Sequence, residues 1–220
     1  ADTDADVLVF DLEDGVAPAR KAAARETVQS VLGDDAFSAD AECLVRVNPI
    51  DIPRSGDALP IRADLRALEP VADALDGVVL PKTSDAADVR RLAGLLRTHG
   101  IERRVLALVE TAAGVHAAPA IATASATDGL IVGTEDLAAD VGAVPSEDRS
   151  ESQYARQRVL TAAGAANVDA IDTLWTDFDD EAGLRADADE AVALGFDGKL
   201  AIHPAQVGPI NAAFTPDDAQ

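Results

Sequence analysis

The sequence predicts a (β/α)₈ barrel, in which eight parallel strands form a closed inner sheet surrounded by helices. Short, continuous apolar runs alternate with longer segments of helical periodicity, which is typical of a parallel sheet covered on both faces. The runs begin at intervals of roughly thirty residues, the length of one βα unit. No glycine-rich dinucleotide fingerprint follows the first run, so a doubly wound sheet is disfavoured. We expect one catalytic barrel domain over residues 1–220.

Seven apolar runs are the candidate strands. In order they are "VLVFD" (7–11), "CLVRV" (43–47), "GVVLP" (77–81), "VLALV" (105–109), "GLIV" (129–132), "AIDTL" (170–174) and "KLAIH" (199–203). A barrel of eight strands needs one more. The chain opens on "ADTDAD", which resembles the end of a connection entering a strand. We therefore expect the missing strand to lie upstream of the given sequence.

Several segments between these runs carry apolar residues at helical spacing. The clearest are residues 17–32, 85–99, 149–166 and 183–194. Ser84 or Asp85 is the predicted N-cap of the second segment, and the predicted helix stops are Gly33, Gly100 and Gly195. The loop over residues 48–60 is rich in proline, glycine and aspartate, and we expect it to cover a site.

The composition excludes several classes of partner. Asp and Glu number 40 against 18 Lys and Arg, a net charge of −22 that would repel nucleic acids and anionic membranes. No apolar stretch approaches the roughly 20 residues of a membrane span, no signal peptide is recognisable, and one cysteine cannot form an internal disulfide. We expect a cytoplasmic protein. The dispersed acids and scarce lysines indicate a halophilic source, because concentrated salt screens self-repulsion.

Polar side chains follow every candidate strand. Because the carboxyl ends of parallel strands meet at one rim of a barrel, we expect these side chains to converge. They are Asp11, Glu13, Asp14, Arg46, Asn48, Lys82, Glu110, Glu135, Asp136, Asp177 and His203. Converging carboxylates repel each other and resist ionisation unless a cation is bound. Oxygen ligands favour a hard cation, so the ring predicts Mg²⁺, with Mn²⁺ as the alternative.

Six motifs, in order along the chain, carry a family resemblance. They are "VFDLEDGVAPARKAAAR", "RVNP", "VVLPK", "LVETAAGV", "IVGTEDLAADVG" and "GFDGKLAIHPAQVGPINAAFTP". They resemble the HpcH/HpaI aldolase and citrate lyase β-subunit family, in its citrate lyase β-like and malyl-CoA lyase branch. The resemblance implies a Mg²⁺-dependent (β/α)₈ enzyme that cleaves or forms a carbon-carbon bond beside a CoA or acyl-carrier thioester. It also implies a homotrimer or homohexamer.

The resemblance further implies roles for particular residues. Glu110 and Asp136 match the metal-binding acids, and Arg46 matches an arginine that holds a substrate carboxylate. The expected catalytic residues are Arg46, Glu13 and Asp14. The expected substrate-binding residues are Arg46, Gly133 and Thr134. Members of this branch begin with a strand reading like "RS-L-VPG" and end in a segment that carries an aspartate proposed as the acid/base. We expect both to be absent from the given sequence.

Each assignment has an alternative. Glu110 and Asp136 are also what the helix dipole favours at helix starts, and Arg46 is also typical of a strand-end ion pair. Glu13 and Asp14 fit a structural role as well as a place beside the metal. Lys82 fits either a surface ion pair or the Schiff base of a metal-free aldolase. His203 fits a hydrogen-bonding residue better than a metal ligand.

The activity has alternatives too. A metal-free aldolase that uses Lys82 and a non-catalytic subunit that binds acyl thioesters both remain open. The sequence does not distinguish malyl-CoA, methylmalyl-CoA, citramalyl-CoA and citryl thioesters as substrates, nor free CoA from an acyl carrier protein as the thioester carrier.

Overall fold

The computed structural model describes residues 4–34, 37, 41–50, 60–146 and 149–216. Within these ranges, seven strands form one sheet in chain order, and every neighbouring pair is parallel. The strands are β1 (Val7–Asp11), β2 (Glu42–Arg46), β3 (Gly77–Leu80), β4 (Arg104–Val109), β5 (Thr127–Val132), β6 (Asp169–Asp172) and β7 (Gly198–Lys199). The predicted parallel α/β architecture is confirmed. In the described part of the chain the sheet has seven strands and β1 and β7 do not pair, so the closed eight-stranded barrel stays a prediction.

Helices connect the strands. The described residues contain α1 (Lys21–Leu32), α2 (Pro60–Leu68), α3 (Ala86–Thr98), α4 (Ala112–Ala122), α5 (Thr134–Val141), α6 (Gln153–Ala166), α7 (Glu181–Leu194) and α8 (Pro204–Phe214). Short 3₁₀ segments precede α1 and follow α2. None of the described helices combines the length and the hydropathy needed to cross a bilayer.

Two apolar clusters lie on opposite faces of the sheet. Val45, Val78 and Leu130 belong to the larger cluster, which includes helix residues such as Leu92 and Val159. The smaller cluster lies on the other face of the sheet and contains Leu44, Val79, Leu108 and Ile131. Successive strand residues alternate between the two clusters because side chains in a strand point to opposite faces. Burial on both faces explains why the strands read as continuous apolar runs.

The predicted helix boundaries hold in part. Asp85, not Ser84, caps α3: its carboxylate accepts hydrogen bonds from the backbone N–H groups of Ala87 and Asp88 at 2.6 and 3.1 Å. Gly33 and Gly195 end α1 and α7, and Gly195 has a left-handed φ of +102°. Gly100 follows the last turn of α3 with a φ of +69°.

Three helices begin away from their predicted starts. The first begins at residue 21 because residues 18–20 form a 3₁₀ turn opened by a proline. Those predicted from 149 and 183 begin at residues 153 and 181. Asp180 sets the start at 181, since its side chain accepts a hydrogen bond from Gly183 N–H at 2.9 Å. Of the predicted covering loop, residues 51–59 lie outside the described residues.

The strand predicted over residues 199–203 is present but is much shorter than predicted. β7 contains only Gly198 and Lys199, and residues 200–203 lead into α8. His203 is the N-cap of α8, where its Nδ1 accepts a hydrogen bond from Ala205 N–H at 3.2 Å. Gln206 accepts from the backbone N–H of Ile202 at 2.8 Å. These capping bonds draw the segment into the helix start instead of extending the strand.

Candidate active site

The predicted metal-binding acids lie together. Glu110 follows β4. Leu108 belongs to the smaller apolar cluster and Val109 to the larger one, so the alternation of side chains along a strand places Glu110 on the same face as Leu108. Asp136 lies in the first turn of α5, directly after β5. Asp136 acts on Glu110, because its charge raises the pKa of the Glu110 carboxyl group. Glu110 is buried, with 3% of its surface exposed, whereas the side chain of Asp136 is 44% exposed.

The carboxyl group of Glu110 resists ionisation. Burial raises its pKa to about 8, and the neighbouring charges of Asp136 and Glu13 contribute in the same direction. The backbone N–H of Lys82 donates a hydrogen bond to Glu110 Oε1 at 2.8 Å, which opposes the shift. A buried carboxyl group that resists ionisation beside a second carboxylate is an arrangement that a bound divalent cation would stabilise.

Gly133 permits this arrangement. It lies between β5 and α5, and a Cβ placed on it would meet Glu110 Cβ at 2.7 Å and Glu110 Oε2 at 2.9 Å. A residue with a side chain would therefore push against Glu110. Gly133 was predicted to contact the substrate; the structure places it against a predicted metal ligand.

Arg46, at the end of β2, forms a bidentate pair with Asp11. Its Nε and Nη2 donate to Asp11 Oδ1 and Oδ2 at 2.8 and 2.6 Å. Its Nη1 also lies 3.3 Å from Glu13 Oε2. Burial would raise the pKa of Asp11, but the hydrogen bonds and charge of Arg46 hold it below its ordinary value. The Nε and Nη2 groups of Arg46 are thus occupied by Asp11, and Nη1 faces Glu13.

Lys82 lies among the acids of the rim. Its Nζ donates to Glu13 Oε1 at 2.9 Å and to Asp14 Oδ2 at 2.7 Å, and lies 3.8 Å from Asp136 Oδ2. Burial would lower the pKa of Lys82, but these hydrogen bonds and charges raise it above its ordinary value. Schiff-base formation needs a neutral amine, which a raised pKa disfavours. The ion-pair alternative describes Lys82 better.

A buried polar cluster supports the loop that carries Glu13. Lys21 Nζ donates to the carbonyl oxygens of Leu12 and Glu13 at 2.6 and 2.5 Å and to Asn48 Oδ1 at 2.9 Å. Asp64 accepts from the backbone and side-chain nitrogens of Asn48, both at 2.8 Å. Sequence reasoning missed Lys21 and Asp64. A signal existed, because Asp64 interrupts the apolar stripe of α2 and is fully buried there.

Other predicted residues are engaged elsewhere. Thr134 is buried, and its hydroxyl hydrogen-bonds Thr173 Oγ1 at 2.9 Å and accepts from Arg149 Nη2 at 2.9 Å. His203 stacks on Phe178 with ring centroids 5.2 Å apart, in agreement with the non-metal alternative. The remaining rim candidates, Glu135 and Asp177, are exposed at the surface.

The donor set fits magnesium. Among the residues the structure describes, no group of three or more His, Cys, Asp or Glu could hold a metal ion. Mg²⁺ does not need such a group, because it is usually bound by one or two carboxylates and keeps several waters beside substrate oxygens. Glu110 and Asp136 match this requirement in number and in chemistry.

Comparisons with known proteins agree with this geometry. The sequence profile described as HpcH/HpaI aldolase/citrate lyase matches residues 1–204. The chain belongs to this family. The resemblance drawn from the six motifs is therefore confirmed.

Three curated members of the family are similar over nearly the whole chain. A (3S)-malyl-CoA thioesterase from Cereibacter sphaeroides is 37% identical, covering 98% of this chain and 71% of that protein. A citrate lyase subunit beta-like protein from Mycobacterium tuberculosis is 37% identical, covering 96% and 72%. The mitochondrial citramalyl-CoA lyase of Mus musculus is 32% identical, covering 96% and 65%.

Solved structures of family members share the fold. RipC from Yersinia pestis superposes with a TM-score of 0.83 at 34% identity, covering 98% of this chain and 91% of that one. Protein CitE from Mycobacterium tuberculosis, in complex with magnesium, acetoacetate and coenzyme A, gives a TM-score of 0.78 at 35% identity, covering 98% and 74%. The family fold thus includes a member solved with both magnesium and coenzyme A.

Proposed function

We propose that this chain is a Mg²⁺-dependent carbon-carbon lyase acting on the CoA-type thioester of a hydroxy acid, such as malyl-CoA, citramalyl-CoA or a citryl thioester. The Glu110–Asp136 carboxylate pair, which follows β4 and β5 and of which Glu110 is buried, carries the proposal. The citramalyl-CoA lyase and the magnesium and coenzyme A complex among its relatives support the same activity. Glu110 and Asp136 would hold the ion, with Mn²⁺ as a substitute.

The bound ion would act as a Lewis acid that stabilises negative charge on the carbonyl oxygen of the keto acid. The Nη1–Nη2 edge of Arg46, whose Nη1 also lies 3.3 Å from Glu13 Oε2, would hold the substrate carboxylate, because its planar N–H groups match two carboxylate oxygens. Asp11 fixes the orientation of the guanidinium by accepting hydrogen bonds from Nε and Nη2.

Glu13 and Asp14 are proposed as further acids of the catalytic site. Glu13 is 2% exposed and contacts both Arg46 and Lys82. Asp14 has a side chain that is 61% exposed and is therefore open to the mouth of the site. For Gly133 and Thr134, support of Glu110 and of the start of α5 is better founded than direct contact with the substrate.

Thioester hydrolysis is a second candidate, because the Cereibacter relative is named a thioesterase. The two reactions differ in the bond that breaks. A lyase releases a keto acid and leaves the CoA thioester intact, whereas a hydrolase releases free CoA thiol and the hydroxy acid. A non-catalytic subunit would bind the thioester and release neither product.

The test combines product analysis with metal binding. Purified protein is incubated with each of the three thioesters, with and without Mg²⁺, while keto acid and free thiol are measured in parallel. We expect Mg²⁺-dependent keto acid without an equal release of thiol. Glu110→Gln should keep the fold but weaken Mg²⁺ binding in calorimetry by at least tenfold and lose the lyase activity. Glu135→Gln, which removes a neighbouring exposed charge, is the matched control and should behave like the parent.

Two outcomes would contradict the proposal. Equal Mg²⁺ affinity in Glu110→Gln and the parent would make the acid pair structural. Release of thiol in place of keto acid would replace the lyase by the hydrolase.

We further propose that an eighth strand between β1 and β7 completes a (β/α)₈ barrel and that the protein forms a homotrimer or homohexamer. Val7 and Val9, on edge strand β1, are 39% and 42% exposed, and an open apolar edge favours pairing with another segment. An experimental structure of the longest reading frame would test the strand, and light scattering in molar salt would test the assembly. A monomer would contradict the second proposal.

A further inference from the structure

Lys82 contacts four acids of the rim. The side chain of Lys82 hydrogen-bonds Glu13 and Asp14 and lies 3.8 Å from Asp136, while its backbone N–H donates to Glu110. The backbone bond depends on an uncommon conformation, since Lys82 has a left-handed φ of +52°. The side-chain ammonium and the backbone N–H of Lys82 therefore contact different acids. A substitution of Lys82 can remove the ammonium and keep the backbone N–H.

The ammonium lies where it would compete with a divalent ion. It is within 4 Å of Asp136, one of the two proposed metal ligands, and it already pairs with the acids beside them. Two cations that share one set of carboxylates repel each other, and each lowers the affinity of the set for the other. Arg46 is not equivalent, because it forms its bidentate pair with Asp11, which is not one of the proposed metal ligands.

We propose that the Lys82 ammonium competes with Mg²⁺ for this acid cluster and so weakens the metal affinity of the site. Lys82 is in this sense a positioning residue whose ammonium acts through Asp136 and the neighbouring acids Glu13 and Asp14. The inference rests on the proposed function, since it presupposes that these two acids bind Mg²⁺. Loss of the Lys82 charge should strengthen Mg²⁺ binding, whereas a substitution that damaged the site would weaken it.

The experiment measures Mg²⁺ affinity by calorimetry in the purified protein and four variants. Lys82→Met removes the charge and keeps the side-chain length. Lys82→Gly removes the charge and accepts a positive φ without strain, so the hydrogen bond from the backbone N–H of residue 82 to Glu110 is preserved. Lys82→Arg keeps the charge. Arg90→Met removes a positive charge from an exposed position on α3 and is the matched control.

We expect Mg²⁺ to bind about tenfold more tightly to Lys82→Met and Lys82→Gly, the factor for a monovalent and a divalent cation roughly 6 Å apart in water. Lys82→Arg and Arg90→Met should stay close to the parent. The gain should shrink in about 1 M salt, where the screening length falls to about 3 Å. Thermal unfolding with and without Mg²⁺ should agree, with a larger Mg²⁺-induced rise in Tm for the two charge-removing variants.

Equal or weaker Mg²⁺ binding in both Lys82→Met and Lys82→Gly would overturn the inference. If Glu110→Gln loses Mg²⁺ at the same time, the proposed function stands and only the competition is wrong. If Glu110→Gln and the parent bind Mg²⁺ alike, the proposed function fails and this inference falls with it.

Discussion

Gly133 lies against Glu110 so closely that a methyl group on Gly133 would meet Glu110 Cβ at 2.7 Å. The backbone at Gly133 has a φ of −112°, which any residue adopts, so the need for glycine arises from contact and not from conformation. This contact joins the ends of β4 and β5, and therefore the two proposed metal ligands.

Gly133→Ala should displace Glu110 and weaken Mg²⁺ binding by about tenfold or more, because a shift of a ligand by several tenths of an ångström distorts an octahedral site. Calorimetry measures the loss. Gly164→Ala is the control: a Cβ there meets nothing within 4 Å, and alanine in helix α6 should stabilise the fold by about 0.5–1 kcal/mol. Unchanged Mg²⁺ affinity in Gly133→Ala would show that Glu110 does not depend on this contact.

Metal binding should depend on pH through Glu110. Its pKa of about 8 means that Mg²⁺ must displace a proton at lower pH, so apparent affinity should rise with pH and level off above about 8. The stability of the metal-free protein, measured with a chelator present, should change in the opposite direction and fall as pH rises. The folded state holds a proton between the ordinary value of 4.5 and about 8, so the metal-free protein should lose stability as pH rises across that window.

Chemical unfolding across this pH range, with chelator and with Mg²⁺, measures both effects. Glu110→Gln should flatten the metal-free profile, since it cannot ionise. A metal-free protein whose stability is unchanged by that substitution at every pH would refute the role of Glu110.

Arg46→Lys should raise KM for the thioester by about tenfold while leaving Mg²⁺ affinity within about twofold, because a point charge cannot replace the planar pair of N–H groups. Steady-state kinetics and calorimetry together measure the two quantities. Asp11→Asn tests the cause, since it weakens the pair with Arg46 but leaves the arginine in place. If Asp11→Asn raises KM as much as Arg46→Lys, substrate binding depends on the orientation that Asp11 gives Arg46 and not on the planar pair of N–H groups alone.

A buried ionic network beneath the rim should contribute strongly to stability. Lys199 Nζ donates to Asp172 Oδ2 at 3.0 Å and to Thr173 O at 2.7 Å, and it pairs with Asp187. Asp172 also forms a bidentate pair with Arg156, whose side chain is fully buried. Removing one member leaves buried charge without its partner, which typically costs about 3–5 kcal/mol.

Lys199→Met should therefore lower the free energy of unfolding by about 3 kcal/mol in urea titrations. Arg185→Met breaks an exposed pair with Glu181 on the same layer of helices and should cost about 0.5 kcal/mol or less. A loss for Lys199→Met no larger than for Arg185→Met would indicate that the network is not needed for stability.

Much of the fold was predictable because hydrophobic periodicity is a local property. The runs at 77–81 and 105–109 are apolar at every position, and the structure buries them on both faces of a parallel sheet. The capping of α3 was predictable for the same reason, since Asp85 acts on residues two and three positions away. The end of β7 was not, because "LAIHP" satisfies an apolar strand pattern and a helix start equally well.

The sequence by itself determined that acids follow the strands and that parallel strands bring them to one rim. Only the tertiary structure decided which groups meet there. Lys82 reaches Glu13 across 69 residues of sequence, and Arg46 reaches Asp11 across 35. Such contacts depend on strand register and on how closely neighbouring strand ends approach, as at Gly133. These quantities arise from the packing of the whole sheet against its helices, so no local pattern encodes them.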